Sequence, residues 1–435
     1  MALYSVLRLG LRAAPAGSSR ANNPAIQAAS STIRLAPYVA LRERRAGLVH
    51  KALREPKAIK PFPYETQKLW PWRTYFDYTA ERLTEHSRII VVEGNIGVGK
   101  STLAKQIADE FDLLLFPEAS PDMMFIDQDG FDLRSIEDKF PECLRPFDLD
   151  KFYANPNSKL VPNFQYSMMA IRTEQYCDAM AHVLNTGQGV VLERSVYSDF
   201  IFMNTLRHFG YVNAHDVTVY NEMLGHALEY LLKPHLVVYL DAPVDVLQQR
   251  IKMRGTPCEM KTKVLTNEYL AKIDEIYKEK YLPSIRNSME MLIYDCTNFV
   301  DPEVVMEDIE RIDFEQNIND VYSTKFADWK RRDAREWAEI RCRVTTEEKL
   351  QILQQIWVTL RFNEPYMFAE PEEVEAFIEA HEKYVPVYAK GFDPSEGILK
   401  SLFGMDLFAP YQRPNKYLTR YVKPQQESQQ QQQQQ

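Results

Sequence analysis

The chain is expected to fold as an α/β protein: a parallel sheet with helices on both faces, carrying a phosphate-binding loop and followed by a helical and irregular C-terminal extension. Three observations predict this. Short apolar, β-branched runs alternate with helix-length stretches from about residue 89 to residue 311, the order that parallel pairing requires. The first run, Ile89 to Val92, leads into Gly94-Asn95-Ile96-Gly97-Val98-Gly99-Lys100-Ser101, a complete G-x-x-x-x-G-K-S. Past about residue 315 such runs stop.

At 435 residues and 45% apolar composition the chain can bury a full core with room for appendages. Its net charge of -9 opposes a nucleic-acid backbone or an anionic lipid surface as the main partner. No run of 18 apolar residues occurs, so no membrane span is expected. The five cysteines, Cys143, Cys177, Cys258, Cys296 and Cys342, are scattered without a C-x-x-C pair and read as buried thiols rather than a metal or redox site.

Residues 1–45 read as a mitochondrial transit peptide. Arg8, Arg12, Arg20, Arg34 and Arg42 occur there before the first carboxylate, among Ala, Ser and Leu, and arginines inside the apolar stretch argue against a secretory signal. Residues 46–84 form an arm rich in proline and aromatics, including Pro61, Phe62, Pro63, Tyr64, Trp70, Trp72, Tyr75, Phe76 and Tyr78. Prolines at that density forbid a long helix, so the arm lies either along its own domain or across a partner.

Residues 85–314 hold the sheet. After Ile89 to Val92 and the loop comes a helix from Ser101 to Phe111, with Thr102 in its first turn. Gly94, Gly97 and Gly99 let backbone N–H groups turn inward around phosphate at the helix N-terminus; Lys100 reaches the outer phosphates, and Ser101 offers a hydroxyl to Mg²⁺. Strand Leu113 to Phe116 ends at Glu118, a candidate general base in the crevice at the carboxyl edge of the sheet, or a solvated loop carboxylate. Residues 122–162 are polar and irregular. A helix follows over 164–184, with Gln165 near its start either reading a base edge or acting as a cap. Strand Gly189 to Leu192 delivers Glu193, Arg194 and Ser195 together, a carboxylate for Mg²⁺ and an arginine for a ligand, or an internal ion pair. Strands His235 to Asp241 and Met289 to Tyr294, with helices Val244 to Met253 and Pro302 to Arg311, complete the alternation. Residues 315–424 contain three charged amphipathic helical stretches, Tyr322 to Arg341, Thr346 to Leu360 and Pro371 to His381, which read as a docking extension or as helices packed back on the domain. The glutamine-rich tail, residues 425–435, reads as disordered.

The loop Gly94 to Ser101, Glu118, Phe164-Gln165, Glu193-Arg194-Ser195, and Arg250-Ile-Lys-Met-Arg254-Gly255 followed by Glu268-Tyr269-Leu270 together resemble the deoxyribonucleoside kinases in order and spacing. With the N-terminal segment, the arm and the C-terminal extension, the chain is most similar to the branch of kinase-like accessory subunits of mitochondrial complex I, the NADH:ubiquinone oxidoreductase. The kinase resemblance implies that Lys100 and the loop amides hold a triphosphate and that Ser101 and Glu193 hold Mg²⁺. It also implies that Glu118 takes the proton of a nucleoside 5′-hydroxyl, that Gln165 and Arg194 orient the nucleoside, and that Arg250 and Arg254 lie toward a closing lid.

Departures fall at the transition-state machinery. Where active members carry Arg-Gly-Arg-x-Glu-Glu, this chain reads Arg254-Gly255-Thr256-Pro257-Cys258-Glu259; Glu118 is followed by Ala119; and Met123 stands where a tryptophan is expected. Glu118, Arg194 and Arg254 are therefore vestigial catalytic candidates. A binding or structural role follows: an accessory, non-catalytic subunit of complex I that supports its assembly or stability and keeps a purine nucleotide, ATP or a deoxynucleotide, with Mg²⁺. Its expected partners are other complex I subunits, and its place is the mitochondrial matrix, peripheral to the inner membrane. An active mitochondrial deoxyribonucleoside kinase is the alternative. FAD is associated with this branch, but no residue pattern here supports it.

Overall fold

The computed structural model describes residues 60–65, 67–126, 130–314, 323–330, 333–346 and 370–384, all within one compact unit, Ile59–Gln435. The transit segment 1–45, the Gln-rich tail 425–435, and most of the extension between 347 and 424 lie outside them.

Five strands form the sheet: β1 (Ile89–Gly94), β2 (Leu114–Phe116), β3 (Val190–Glu193), β4 (Leu236–Asp241) and β5 (Glu290–Asp295). Every pair is parallel and the order is β2-β3-β1-β4-β5, with β1 central. The β1, β3 and β4 runs are almost wholly buried, which is why they read as continuous apolar stretches. Val92 pairs with Glu193 and Gly94 with Leu240, so the carboxyl ends of the central strands lie level and converge at one edge.

The principal helices are α1 (Lys100–Glu110), α2 (Leu149–Ala154), α3 (Val161–Thr186), α4 (Phe200–His208), α5 (Ala214–Leu228), α6 (Val244–Arg254), α7 (Pro257–Lys261), α8 (Asn267–Ile276), α9 (Pro302–Glu310), α10 (Ala334–Thr345) and α11 (Pro371–Tyr384). Helix α3 is buried along nearly its whole length and carries apolar groups all round, as an enclosed helix does. Helices α2, α4, α5, α7 and α8 add to the elements expected from the sequence, and α2 lies within the stretch 122–162 read as irregular. Asn213 and Asp216 close a reciprocal capping box at the start of α5.

The described part of the arm packs on its own domain from Phe62 to Leu69. Phe62, Tyr64 and Leu69 are buried, the Phe62 amide donates to the Asn185 carbonyl at 2.9 Å, and the Tyr64 hydroxyl lies 2.9 Å from His182 Nδ1. The expected helix over Tyr322 to Arg341 is displaced: Asp333 caps α10 by accepting from the Glu336 amide, and Ala327–Trp329 forms a separate 3-10 turn. Helix α10 packs back on the domain, burying Trp337, Ile340 and Val344. Its Arg341 is fully buried. The guanidinium donates to Asn185 Oδ1 at 2.7 Å and to Asp77 at 3.1 Å, while Asn185 donates to Thr345 Oγ1 at 2.7 Å. Asp77 also pairs with Arg82. One buried polar clasp thus joins the arm, the end of α3 and α10.

Candidate nucleotide-binding site

The glycine loop runs from β1 into α1 with Gly94, Gly97 and Gly99 all at positive φ, 144°, 80° and 111°. A Cβ on Gly94 would lie 2.6 Å from the Leu240 carbonyl oxygen, so the turn demands glycine there for space as well as conformation. The loop opens on a cavity of about 730 Å³, of a size suited to a small organic ligand, whose wall includes Ile96, Gly97, Gly99, Lys100, Ser101 and Thr102. Three loop residues expected at the ligand, Gly94, Asn95 and Val98, are not in the cavity wall, and their side-chain positions face the fold. Gly94 is the hinge against β4, Val98 is buried in the core, and Asn95 donates its amide to the Leu270 carbonyl at 2.8 Å.

Lys100 is buried and donates to the Asn95 carbonyl at 2.9 Å. Burial, with the charge of Arg194, lowers its pKa to about 8 against the opposing pull of Glu118 and Glu193. Ser101 donates its hydroxyl to Glu193 Oε1 at 2.8 Å, which puts the two proposed Mg²⁺ donors side by side. Glu118 forms an ion pair with Arg194, and Arg172 stands 3.8 Å away. Burial pushes the Glu118 carboxyl up, but Arg194, Lys100 and Arg172 outweigh it and bring the group to about 2. Arg194 also donates to the Gly94 carbonyl at 3.1 Å and holds a left-handed backbone at φ 61°. Glu193 and Arg194 are therefore not paired with each other: one faces Ser101, the other Glu118.

Beneath the loop, Glu93 is fully buried and accepts from Tyr277 at 2.9 Å, with the hydroxyls of Ser195 at 3.4 Å and Tyr281 at 3.5 Å. Burial raises its pKa against the lowering pull of hydrogen bonds from Ser198 and Tyr277 and of the charges on Arg194 and Lys100.

The far end of the cavity contains a constellation that the sequence reading missed. Asp199 is fully buried and ion-paired to Arg172, and it accepts from Gln165 Nε2 at 2.9 Å and from Tyr220 at 2.5 Å. Gln165 thus sits in the cavity wall as expected, but its amide is oriented by Asp199. Arg172 follows Gln165 by seven residues on α3, a spacing that returns to the same helix face and was the available signal. Phe152, Phe164, Met168 and Phe202 supply the apolar walls. Met123 is buried but outside that wall, where Ser120 and Pro121 stand instead.

The lid arginines are engaged within the protein. Arg254 makes a two-point contact with Glu259, at 2.5 and 3.1 Å, across the turn into α7. Arg250 lines the cavity but donates to the carbonyls of Val98 at 3.0 Å and Cys296 at 2.8 Å, and its guanidinium lies 4.2 Å from the centre of the Phe299 ring. It braces the loop against the segment after β5. Thr262 donates to the Tyr153 carbonyl at 3.1 Å, so the segment after α7 is joined to the end of α2.

The residues present fit a nucleotide. A glycine loop with Gly97 and Gly99 in its wall, a buried ammonium, an amide-and-arginine pair and apolar walls share one continuous cavity. No group of three or more His, Cys, Asp or Glu side chains that could hold a metal occurs among the described residues. Ser101 and Glu193 are the oxygen donors that would hold Mg²⁺ beside a bound phosphate.

The deoxynucleoside kinase family model matches residues 90–326. Over 279 residues the chain is 36% identical to NADH dehydrogenase (ubiquinone) 1 alpha subcomplex subunit 10, mitochondrial, of Mus musculus, covering 64% of this chain and 73% of that protein. It is 28% identical over 236 residues to a deoxyguanosine kinase of Dictyostelium discoideum, covering 54% of this chain and 73% of that one. A solved deoxyadenosine kinase from M. mycoides with bound dCTP is similar at 20% identity and a TM-score of 0.39, over 52% of this chain and 100% of that chain. Parallel sheet, glycine loop and matched residues agree: the chain belongs to the deoxynucleoside kinase family.

Proposed function

We propose that this protein is an accessory, non-catalytic subunit of mitochondrial complex I, located on the matrix side and peripheral to the inner membrane, which keeps a bound purine nucleotide with Mg²⁺ and supports assembly of the complex. The observation that carries the reading is the division within one cavity. Its phosphate end keeps Lys100, Ser101 and Glu193 in position, whereas the lid has lost residues that close on a transferred phosphoryl group and Arg254 is tied to Glu259. Binding survives such a loss; the extra stabilisation of a transition state does not. The mouse relative, a complex I subunit by name, supports the assignment to that assembly.

Lys100 and the loop amides would hold the phosphates, Ser101 and Glu193 the cation, and Gln165 with Arg172 the base. Bound Mg²⁺ supplies charge neutralisation for the phosphate chain.

A second reading, an active deoxyribonucleoside kinase, is favoured by the meeting of Glu118, Arg194 and Lys100 at the carboxyl edge of the sheet. Incubating the purified protein with ATP, Mg²⁺ and each deoxynucleoside separates the two. The accessory reading expects no sustained monophosphate production, together with stoichiometric nucleotide released from the denatured protein. Steady turnover abolished by Glu118→Gln would overturn it.

A further inference from the structure

The second half of the N-terminal arm presents its large side chains to solvent on a fixed turn. Pro71–Tyr75 is a 3-10 turn in which Thr74 is buried and donates to the Pro71 carbonyl at 2.6 Å, while Phe76 donates its amide to the Arg73 carbonyl at 3.0 Å. Trp72 is 61% exposed and Phe76 83%, with Trp70 and Tyr75 exposed beside them. Chain on either side is clamped. Phe62, Tyr64 and Leu69 are buried on one flank, and on the other Asp77 is held by Arg82 and by the fully buried Arg341 of α10.

This platform consists of residues outside the matched kinase region, 90–326, apart from the end of α3 that it grips. The clasp spends a buried arginine on holding rigid a turn that contributes few of its aromatics to the core. Exposed Trp, Tyr and Arg on a preorganised backbone are the composition and the economy of a protein-binding hot spot, because little conformational freedom is left to lose on docking. Its charge narrows the partner. Between residues 60 and 76 the arm carries Lys60, Lys68 and Arg73 against Glu65, in a chain of net charge -9. That local reversal suits an acidic rim around an apolar pocket. An anionic bilayer is the poorer match, since the rest of the chain is repelled by it and a five-residue turn offers no amphipathic helix to lay on a membrane.

We infer that the turn around Trp72 and Phe76 is the docking surface for an acidic, apolar-pocketed protein partner, and that this partner is a neighbouring subunit of the same complex; the second clause rests on the accessory reading above. The test uses the full chain expressed in mitochondria, with a benzophenone amino acid in place of Phe76 or, separately, Trp72. Irradiation is expected to join both positions to one other subunit, at a site mapped by mass spectrometry and flanked by carboxylates. Trp72→Ser combined with Phe76→Ser should lower incorporation into the large respiratory complex on native gels at least tenfold, with an unchanged thermal melt of the purified protein. Cross-links to lipid, to this chain's own termini or to a second copy would overturn the proposal, as would undiminished incorporation of the double variant. Should the wild-type chain itself run outside the complex, the accessory reading fails. Cross-linking then still decides the surface: one acidic protein partner upholds it, and none removes it.

Discussion

Lys100 is a buried cation in the cavity wall, and if it meets phosphate as proposed its protonation governs affinity. Its pKa near 8 in the free protein means that the ammonium is present below that pH and is lost above it, while a bound phosphate would favour the charged form and raise the value. Nucleotide binding should therefore weaken as pH rises through 8, by about tenfold per unit until the value of the bound state is reached. Calorimetric titration at pH 7 and pH 9 checks this, and Lys100→Met should abolish the slope. Asp199 is the structural counterpart. It receives Arg172, Gln165 and Tyr220 with no solvent contact, so Asp199→Asn would leave Arg172 buried beside a neutral group. A loss of about 3–5 kcal/mol in urea unfolding is expected, the range for breaking a buried ion pair.

Elements were unequally legible, for reasons visible in particular residues. β1, β3 and β4 could be read because a strand covered on both faces is apolar at every position, and the glycine loop because its parts are contiguous. Asp199 and Arg172 could not, since they lie 27 residues apart and acquire meaning only where two elements meet. Helix α10 shows the same limit. Its Arg341 reads locally as a solvent-facing charge, yet its partners stand 264 and 156 residues earlier, and burial pulls its pKa down to about 10 even with Asp77 at hand. Replacing it tests the clasp. Arg341→Met should cost roughly 3 kcal/mol by removing the buried guanidinium from Asn185 Oδ1 and leaving Asp77 with Arg82 alone. Faster amide hydrogen exchange should then appear across Arg73–Asp77 and α10 before it appears in the sheet.

At the scale of the whole molecule, the cavity is lined by the glycine loop and α1, the segment after β2, the end of β3, and residues of α2, α3, α4 and α6, so a ligand that fills it binds the native state across several elements at once. Stability should rise with nucleotide concentration, by about 2.7 kcal/mol at one hundred times the dissociation constant. Differential scanning calorimetry of nucleotide-stripped protein, with ATP and with each purine deoxynucleotide in turn, measures this and ranks the ligands. The preferred one should give the largest upward shift in Tm, and Gln165→Leu should compress the ranking, because that amide lines the cavity where the proposed function puts the base.

Helix α3 carries Gln165 and Arg172 toward one end and Asn185 at the other, over 26 residues and a length of roughly 39 Å. It is a rod with a ligand-reading tip and a gripped heel. On the proposed function, a shift of the heel that moved the tip would change affinity, and thermodynamic reciprocity would fix the converse to the same factor. Nucleotide supply and the tightness of assembly would then be tied to one mechanical part.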